Sequence, residues 1–342
     1  MANLKLSIVD QSPVHDGKNQ AHALNESINL AKLADELGYH RYWVAEHHAT
    51  PAYASSAPEI VIGQIAASTE KIKVGSGGVM LSHYSPYKVA EVFKTLAAFH
   101  PGRIDLGVGR APGGSESSSI ALAYPHNPSP SDHYPHQLEA LTAFIDDYKF
   151  EKQHPFSDLT TTPMGGSSPE LWTLGSSDGS IDLAASMGLG FVLALFIGTH
   201  ERSADIIKRY RKLYRPRTGS APQSGSAMIA SAVIAADTKE EAEFLAASHT
   251  YWKVLAFRHG AREEVKPPET CLDLMKKLSP SDQAYFHETR NSIITGTPNE
   301  CRARLEKQAN YYDVDEVMVV AVTHSFEKRC DSYRKLARVF SE

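Results

Sequence analysis

The sequence predicts an α/β protein with a (β/α)8 barrel, the TIM-barrel architecture, formed as a single domain over residues 1–342. Short runs rich in Val and Ile alternate with longer segments of helical period, which is typical of βαβ units around a parallel sheet. No Gly/Ser-rich linker separates these units. Barrels of this kind often exceed ~250 residues, so the length fits one domain. Eight strand-helix units without a linker favour a closed barrel over an open doubly wound sheet.

Eight segments carry the strand pattern, and each is followed by a plausible helix. In the first helix apolar residues recur along 30–37 at helical spacing, and Gly38 predicts its end. In the last but one, Thr297 as cap, Pro298 at the first position and Glu300 at the third predict the start. The predicted strands are Lys5–Asp10, Arg41–Glu46, Ile72–Met80, Arg103–Val108, Glu170–Leu174, Gly190–Phe196, Ser226–Ala235 and Glu316–Val322.

Two connections are longer than the rest, namely Ala111–Tyr134 after the fourth strand and Tyr251–Arg290 after the seventh. Connections that follow barrel strands lie on the carboxyl-terminal face, where long insertions line or cover the active site. The alternative is that they are insertions without a function.

Composition favours a small-molecule partner over nucleic acid. The net charge is -5, and the Lys and Arg residues are scattered, which argues against nucleic acid. Cys271, Cys301 and Cys330 are far apart and lack C-x-x-C spacing, so we expect neither disulfides nor a zinc site, and a cytoplasmic protein. The N-terminus has the alternation of a strand and not the pattern of a signal peptide, and no apolar run is long enough to cross a membrane.

Glu46, His47 and His48 come at the end of the second predicted strand, where barrels place catalytic residues. A histidine near a carboxylate can be held in one tautomer and can exchange protons near neutral pH. Adjacent residues of a strand point to opposite faces, so only one of the two imidazoles is expected to face the pocket. The alternatives are a polar cluster that binds loop backbone, or metal ligands, although no established ligand spacing is present.

The third and fourth strands end in residues suited to a flat, phosphorylated ligand. Gly77 and Gly78 remove side chains and let a planar group lie against the backbone, or they mark a β-bulge. Arg110 follows the fourth strand and could pair with a phosphate, or it forms an ordinary surface ion pair.

The fifth strand leads into a helix through a Ser-rich turn that contains Ser176, Ser177 and Ser180. Free backbone N–H groups and hydroxyls at the start of a helix can bind phosphate. The alternative is a helix start that is merely well capped. Next to Arg110, this turn would complete a cradle for a phosphate monoester.

Taken together, these strand ends resemble the bacterial luciferase family. The resemblance runs from Leu6–Asp10 to Val317–Val320, and it is most specific at Trp43–His48 and Arg103–Arg110, where residue type and order are kept. It implies a barrel that holds FMN at its carboxyl-terminal mouth. It also implies a cis peptide bond between Gly77 and Gly78 that supports the flavin ring.

The resemblance further implies a two-component monooxygenase. A separate flavin reductase would supply reduced FMN, which reacts with O2 to a C4a-hydroperoxide that oxidises a small organic substrate such as an aldehyde. By resemblance, His47 is the catalytic acid/base, Glu46 lies near the flavin and His48 supports them. The segment Tyr251–Arg290 would be a lid over the active site, and the protein a homodimer.

The same resemblance implies that Arg110, Ser176, Ser177 and Ser180 bind the FMN phosphate. Three other hypotheses remain at this point. The cofactor is a deazaflavin that transfers hydride without O2, the protein binds flavin without turnover, or the barrel is a metal-dependent hydrolase with Glu46, His47 and His48 as ligands.

Overall fold

Nine parallel strands form one continuous sheet in the computed structural model, which describes residues 4–175, 178–199, 201–217 and 225–341. Their bounds are β1 Lys5–Asp10, β2 Arg41–Val44, β3 Lys73–Met80, β4 Ile104–Gly109, β5 Glu170–Gly175, β6 Gly190–Ala194, β7 Ala227–Ala235, β8 Ile294–Gly296 and β9 Glu316–Val320.

Eight of these strands close into a barrel. The order runs from β6 through β5, β4, β3, β2, β1 and β9 to β7, and β6 pairs in turn with β7. The predicted barrel and all eight predicted strands are therefore confirmed. The sequence did not predict β8, a three-residue strand that pairs with the last residues of β7. A strand this short carries no periodic pattern.

Twelve α-helices lie among the described residues. They are α1 Gln20–Glu36, α2 Pro58–Ala67, α3 Pro86–Phe99, α4 Glu116–Ala123, α5 Tyr134–Ile145, α6 Asp178–Ser186, α7 Asp205–Leu213, α8 Lys239–His259, α9 Pro268–Met275, α10 Pro280–Ser292, α11 Pro298–Tyr312 and α12 Phe326–Ser341. Two short 3-10 helices occupy Leu81–His83 and Ser131–His133. In this part of the chain no helix has both the length and the apolar character needed to cross a membrane.

Local signals in the sequence explain where two of these helices begin or end. The Thr297 hydroxyl accepts a bond from the Glu300 N–H, and the Glu300 carboxylate accepts one from the Thr297 N–H at 2.8 Å, so the predicted capping box is present. Gly38 follows the end of α1 with a φ of +78°, a conformation that favours glycine.

The segment Tyr251–Arg290 differs from a single inserted loop. Its first nine residues complete α8, because Tyr251, Trp252 and Val254 are buried and continue the apolar side of that helix. Two more helices, α9 and α10, follow a connection over residues 260–267. The sequence did not predict these helices because the segment is rich in polar residues. The role of the segment as a lid stays a prediction.

The connection over residues 260–267 is tied to the loop after β1. The Val265 N–H donates to the Val14 carbonyl at 2.8 Å, and the Asp16 N–H donates to the Val265 carbonyl at 3.0 Å. Val265 is fully buried. The backbone of this connection therefore has a fixed place at the mouth of the barrel.

The barrel interior is filled by apolar side chains of alternate strand residues, among them Val9, Trp43, Trp172 and Met318. A second, larger core lies between the strands and the outer helices. The three cysteines are buried and unpaired.

Candidate active site

Glu46 is the best-anchored polar residue at the carboxyl-terminal mouth. It lies two residues past β2 and is 1% exposed. Its Oε2 accepts a bond from the Met80 N–H at 2.9 Å, and its Oε1 accepts one from the Tyr84 hydroxyl at 2.7 Å. The same Oε1 lies 2.6 Å from His48 Nε2. These contacts fix the carboxylate and connect the ends of β2 and β3.

His47 stands in a different environment from His48. Its N–H donates to the Ser55 carbonyl at 2.8 Å, and its ring centroid lies 4.4 Å from that of Tyr53. The residue as a whole is half-buried, but Nδ1 is enclosed and has no hydrogen-bond partner among the described residues. Burial, with smaller contributions from Arg262 and His48, lowers the pKa of His47 to about 3. The ring is therefore neutral at pH 7 and retains one nitrogen for a ligand.

The peptide bond between Gly77 and Gly78 is cis, as the resemblance to the bacterial luciferase family implied. The register between β3 and β4 also shifts between Gly77 and Val79, so the ladder is irregular here. A Cβ added to Gly78 would lie 2.8 Å from the Gly107 carbonyl oxygen, and one added to Gly107 would lie 2.2 Å from that of Ser76. Side chains are thus excluded by the neighbouring strand, and we call this stretch of backbone without side chains the Gly77–Gly78 shelf.

Arg110 follows β4 directly and is exposed. Within the described ranges it forms neither a hydrogen bond nor an ion pair. Beside it, Tyr134 begins α5 with a buried hydroxyl. Burial raises the pKa of Tyr134 to about 12, while a hydrogen bond with the Thr173 side chain and the charge of Arg110 act in the opposite direction. A cation and a buried hydroxyl therefore lie near the ends of β4 and β5.

Ser180 lies in the first turn of α6, after β5. A Cβ added to Gly175 would lie 2.4 Å from the Ser180 Cβ, so the glycine lets the start of α6 approach the strand closely. Ser176 and Ser177, the other two predicted phosphate ligands, lie outside the described residues. The predicted role of all three serines stays a prediction.

An aromatic wall, formed by His47, Tyr53 and Trp252, lines the mouth on the side of β1 and β2. The Tyr53 ring centroid lies 4.4 Å from that of His47 and 4.8 Å from that of Trp252. Sequence reasoning missed Tyr53, Trp252 and Tyr84. Tyr53 and Tyr84 lie in irregular connections and Trp252 lies within a helix, so no strand-end pattern marked them.

The site residues occupy neighbouring strand ends. The order β2, β3, β4, β5 places Glu46 and His47 on one side of the Gly77–Gly78 shelf and Arg110 on the other. Strands β2 and β4 are two sheet spacings apart, or ~10 Å. A planar ligand on the shelf would thus have the histidines at one edge and the cation at the other.

A metal centre finds less support in this geometry. Glu46 already uses both carboxylate oxygens in hydrogen bonds to protein groups or contact with His48. Across the residues that the structure describes, no group of three or more His, Cys, Asp or Glu side chains is placed to hold a metal ion.

Comparison with known proteins gives matches along nearly the whole chain. Residues 4–313 match the sequence model of a family described as luciferase-like monooxygenase. A Bacillus subtilis protein named N-acetyl-S-alkylcysteine monooxygenase is 38% identical over 335 residues, which cover 98% of this chain and 97% of that protein. An Escherichia coli K12 luciferase-like monooxygenase is 34% identical, with 97% and 98% covered.

Among solved structures, that of apo-MsnO8 is similar to this chain with a TM-score of 0.86 and 39% identity. The match covers 99% of this chain and 98% of MsnO8.

Proposed function

Because this chain belongs to the luciferase-like monooxygenase family, we propose that it is a flavin-dependent monooxygenase that uses reduced FMN and O2 to oxidise a small organic substrate. The observation that carries the proposal is the position of the side-chain-free Gly77–Gly78 backbone between the Glu46 cluster and Arg110. A surface without side chains and with a cation at one edge suits a planar ring that carries a phosphate.

The described residues fit FMN in three respects. The Gly77–Gly78 shelf has no side chains that would stand between a planar ring and the backbone. Arg110, the Tyr134 hydroxyl and Ser180 lie where a phosphate monoester would need positive charge and donors. The proposal that Ser176 and Ser177 also bind this phosphate rests on the family resemblance. His47 lies at the other edge, and its Nδ1 is enclosed and has no hydrogen-bond partner in the described part of the chain. This nitrogen can therefore bind a ligand.

When bound, reduced FMN supplies two electrons to O2, so that one oxygen atom enters the substrate, the other leaves as water and oxidised FMN remains. The protein must position the substrate and keep water out. The buried Glu46 carboxylate, held by the Met80 N–H and the Tyr84 hydroxyl, fixes the orientation of His48. The aromatic wall covers the other side of the mouth with apolar surface.

His47 is the residue that moves a proton in this proposal. With a pKa of about 3 it is neutral but a weak base. A bound anion near the ring would raise that pKa, because an opposite charge favours the protonated form. His47 would then exchange a proton through Nδ1 only after its ligands are in place, while His48 remains a supporting residue.

The substrate classes to test are aldehydes, which the family resemblance implies, and N-acetyl-S-alkylcysteines, which give the Bacillus subtilis relative its name. The second class carries a carboxylate and a thioether. We propose further that a separate flavin reductase supplies reduced FMN, that the protein acts in the cytoplasm, and that it is a homodimer. Light scattering of the purified protein tests the last point.

The decisive experiment mixes purified protein with photoreduced FMN, O2 and one member of each substrate class. We expect oxygenated product from at least one class, detected by mass spectrometry with a shift of one oxygen atom from 18O2. Omission of O2 and heat-denatured protein are the controls. No product from either class would contradict the proposal.

Two outcomes would redirect the assignment. Tight binding of a deazaflavin with no affinity for FMN would indicate hydride transfer on the same barrel. FMN binding without product would indicate a flavin carrier. In an enzyme, His47→Ala should abolish turnover and leave FMN affinity largely intact, and that split separates catalysis from cofactor binding.

A further inference from the structure

Arg262 has a fixed place at the mouth of the barrel, beside the aromatic wall. The indole N–H of Trp252 donates to the Glu263 carbonyl at 3.0 Å, and the Trp252 ring lies 4.8 Å from that of Tyr53. Arg262 is the residue immediately before Glu263. Its backbone is therefore held over the wall by a side chain that belongs to the wall.

The Arg262 guanidinium is exposed and forms neither a hydrogen bond nor an ion pair among the described residues. The adjacent acid does not neutralise it, because the Glu263 carboxylate lies 3.0 Å from Lys266 Nζ. After burial, Arg262 contributes to the lowered pKa of His47, and it opposes the raised pKa of Tyr53. Its positive charge thus acts on the two rings that face the mouth.

Two cations then stand on opposite sides of the Gly77–Gly78 shelf. Arg110 follows β4, whereas Arg262 adjoins the Glu263 carbonyl that is bound by Trp252, on the side of His47 and β2. A phosphate monoester on the Arg110 side would also meet the start of α6 and the Tyr134 hydroxyl. Arg262 instead adjoins the segment that is bound to Trp252 of the aromatic wall. This side suits an anion attached to an apolar group.

We propose that Arg262 is a specificity-determining residue that binds the carboxylate of an organic substrate, whose apolar part lies on the aromatic wall. The inference rests on the proposed function and narrows its substrate to carboxylate-bearing molecules. A neutral aldehyde would leave the guanidinium without a partner. An N-acetyl-S-alkylcysteine would supply one.

Binding to full-length protein saturated with oxidised FMN tests this without turnover. The probes are N-acetyl-S-methylcysteine and its methyl ester, which differ in the charge of one group, and Kd is measured by calorimetry. We expect the wild type to prefer the acid. Arg262→Gln should weaken binding of the acid ~10-fold or more and leave that of the ester within ~2-fold. Arg262→Lys should retain part of the preference.

Arg304→Gln is the matched control, since it removes the same charge from an exposed position of α11 and should change neither Kd. Equal loss for acid and ester, no preference in the wild type, or no binding of either probe would overturn the inference. A fall in FMN affinity in Arg262→Gln would also overturn it, because it would assign the residue to the phosphate. Failure of the proposed function shows separately, as no oxidation with reduced FMN.

Discussion

Arg41 at the amino-terminal end of the barrel and two exposed arginines at the carboxyl-terminal end differ in their partners. At the amino-terminal end, the buried Arg41 is bound by three carboxylates, with Asp105 at 2.7 Å and Glu170 and Glu316 at 3.0 Å. Its guanidinium carbon also lies 4.8 Å from the Trp172 ring centroid. At the carboxyl-terminal end, Arg110 and Arg262 have no partner in the described residues. The charge of Arg41 therefore stabilises the barrel, whereas the charges of Arg110 and Arg262 are available to ligands.

Electrostatics explains why Arg41 cannot be left unpaired. Burial alone would lower the pKa of Arg41, but Asp105, Glu316 and Glu170 outweigh burial and raise it above its usual value. A buried charge without a partner is costly, whereas an exposed one remains hydrated at little cost. The exposed Arg110 and Arg262 can therefore remain without a partner among the described residues, whereas the buried Arg41 cannot.

The largest expected effect comes from breaking the paired end. Arg41→Met leaves the buried Asp105 without its cation, so we expect the free energy of unfolding to fall by ~3–5 kcal/mol. Urea denaturation followed by circular dichroism measures it. Arg110→Gln is the control and should change stability by less than ~0.5 kcal/mol. Equal losses in the two variants would remove the distinction between the ends.

The same Arg110→Gln variant should instead lose affinity for FMN. A charge-assisted bond to phosphate contributes ~1.5–3 kcal/mol, so we expect Kd for FMN to rise ~10- to 100-fold. Quenching of FMN fluorescence measures Kd, and Arg304→Gln should bind as the wild type does. An unchanged Kd would mean that the exposed cation after β4 does not serve the cofactor.

Acid should lower the free energy of unfolding because His47, at the carboxyl-terminal end of the barrel, becomes protonated. Its folded pKa of about 3 lies below the value of ~6.5 expected in the unfolded chain, so protonation favours unfolding. Stability is complete above pH ~6.5 and is lost as the pH falls towards 3. Between pH 7 and 5 the loss is at most ~2 kcal/mol, and closer to ~1 kcal/mol because the residue is partly exposed.

The variant His47→Gln should lose less stability over that range than the wild type, as measured by urea denaturation at both pH values. His126→Gln, at an exposed position, is the control and should keep the wild-type slope. If His47→Gln keeps the full pH dependence, the ring is already protonated or well solvated in the folded protein.

The smallest expected effect concerns polar groups near the mouth that, unlike Arg110 and Arg262, do have hydrogen-bond partners. The capping box of α11 is complete, so Thr297→Ala should cost ~1 kcal/mol of unfolding free energy. Thr270→Ala, in an exposed position of α9, removes the same atoms without a cap and should cost less than ~0.5 kcal/mol. A negligible loss for Thr297→Ala would show that satisfied groups at this end contribute no more than exposed ones.

Most of the fold could be predicted because barrel strands are buried on both sides and give apolar runs that need no partner to recognise. β8 could not, since three residues form no pattern. The helices α9 and α10 were hidden for another reason. Their sequences are polar, and α10 is a helix with few buried positions, so its stability depends on contact with α8 that the sequence does not display.

The sequence predicted only those site residues whose positions follow directly from the order of the barrel strands. Glu46, Gly77, Gly78 and Arg110 stand at strand ends, and parallel strands bring their ends together without further information. Tyr84 and the aromatic wall depend on the course of loops, which periodicity does not determine. The different surroundings of His47 and His48 likewise required the coordinates, because strand alternation alone places one ring inside without saying which.

The two backbone hydrogen bonds between Val265 and the loop after β1 make opening of the barrel mouth measurable by hydrogen exchange. An amide proton in such a bond exchanges with deuterium only when the bond opens. If the Val265 and Asp16 amides exchange as fast as FMN dissociates, this joint parts each time the cofactor leaves. Much slower exchange would mean that the joint stays shut and that FMN passes on the side of β4 and β5.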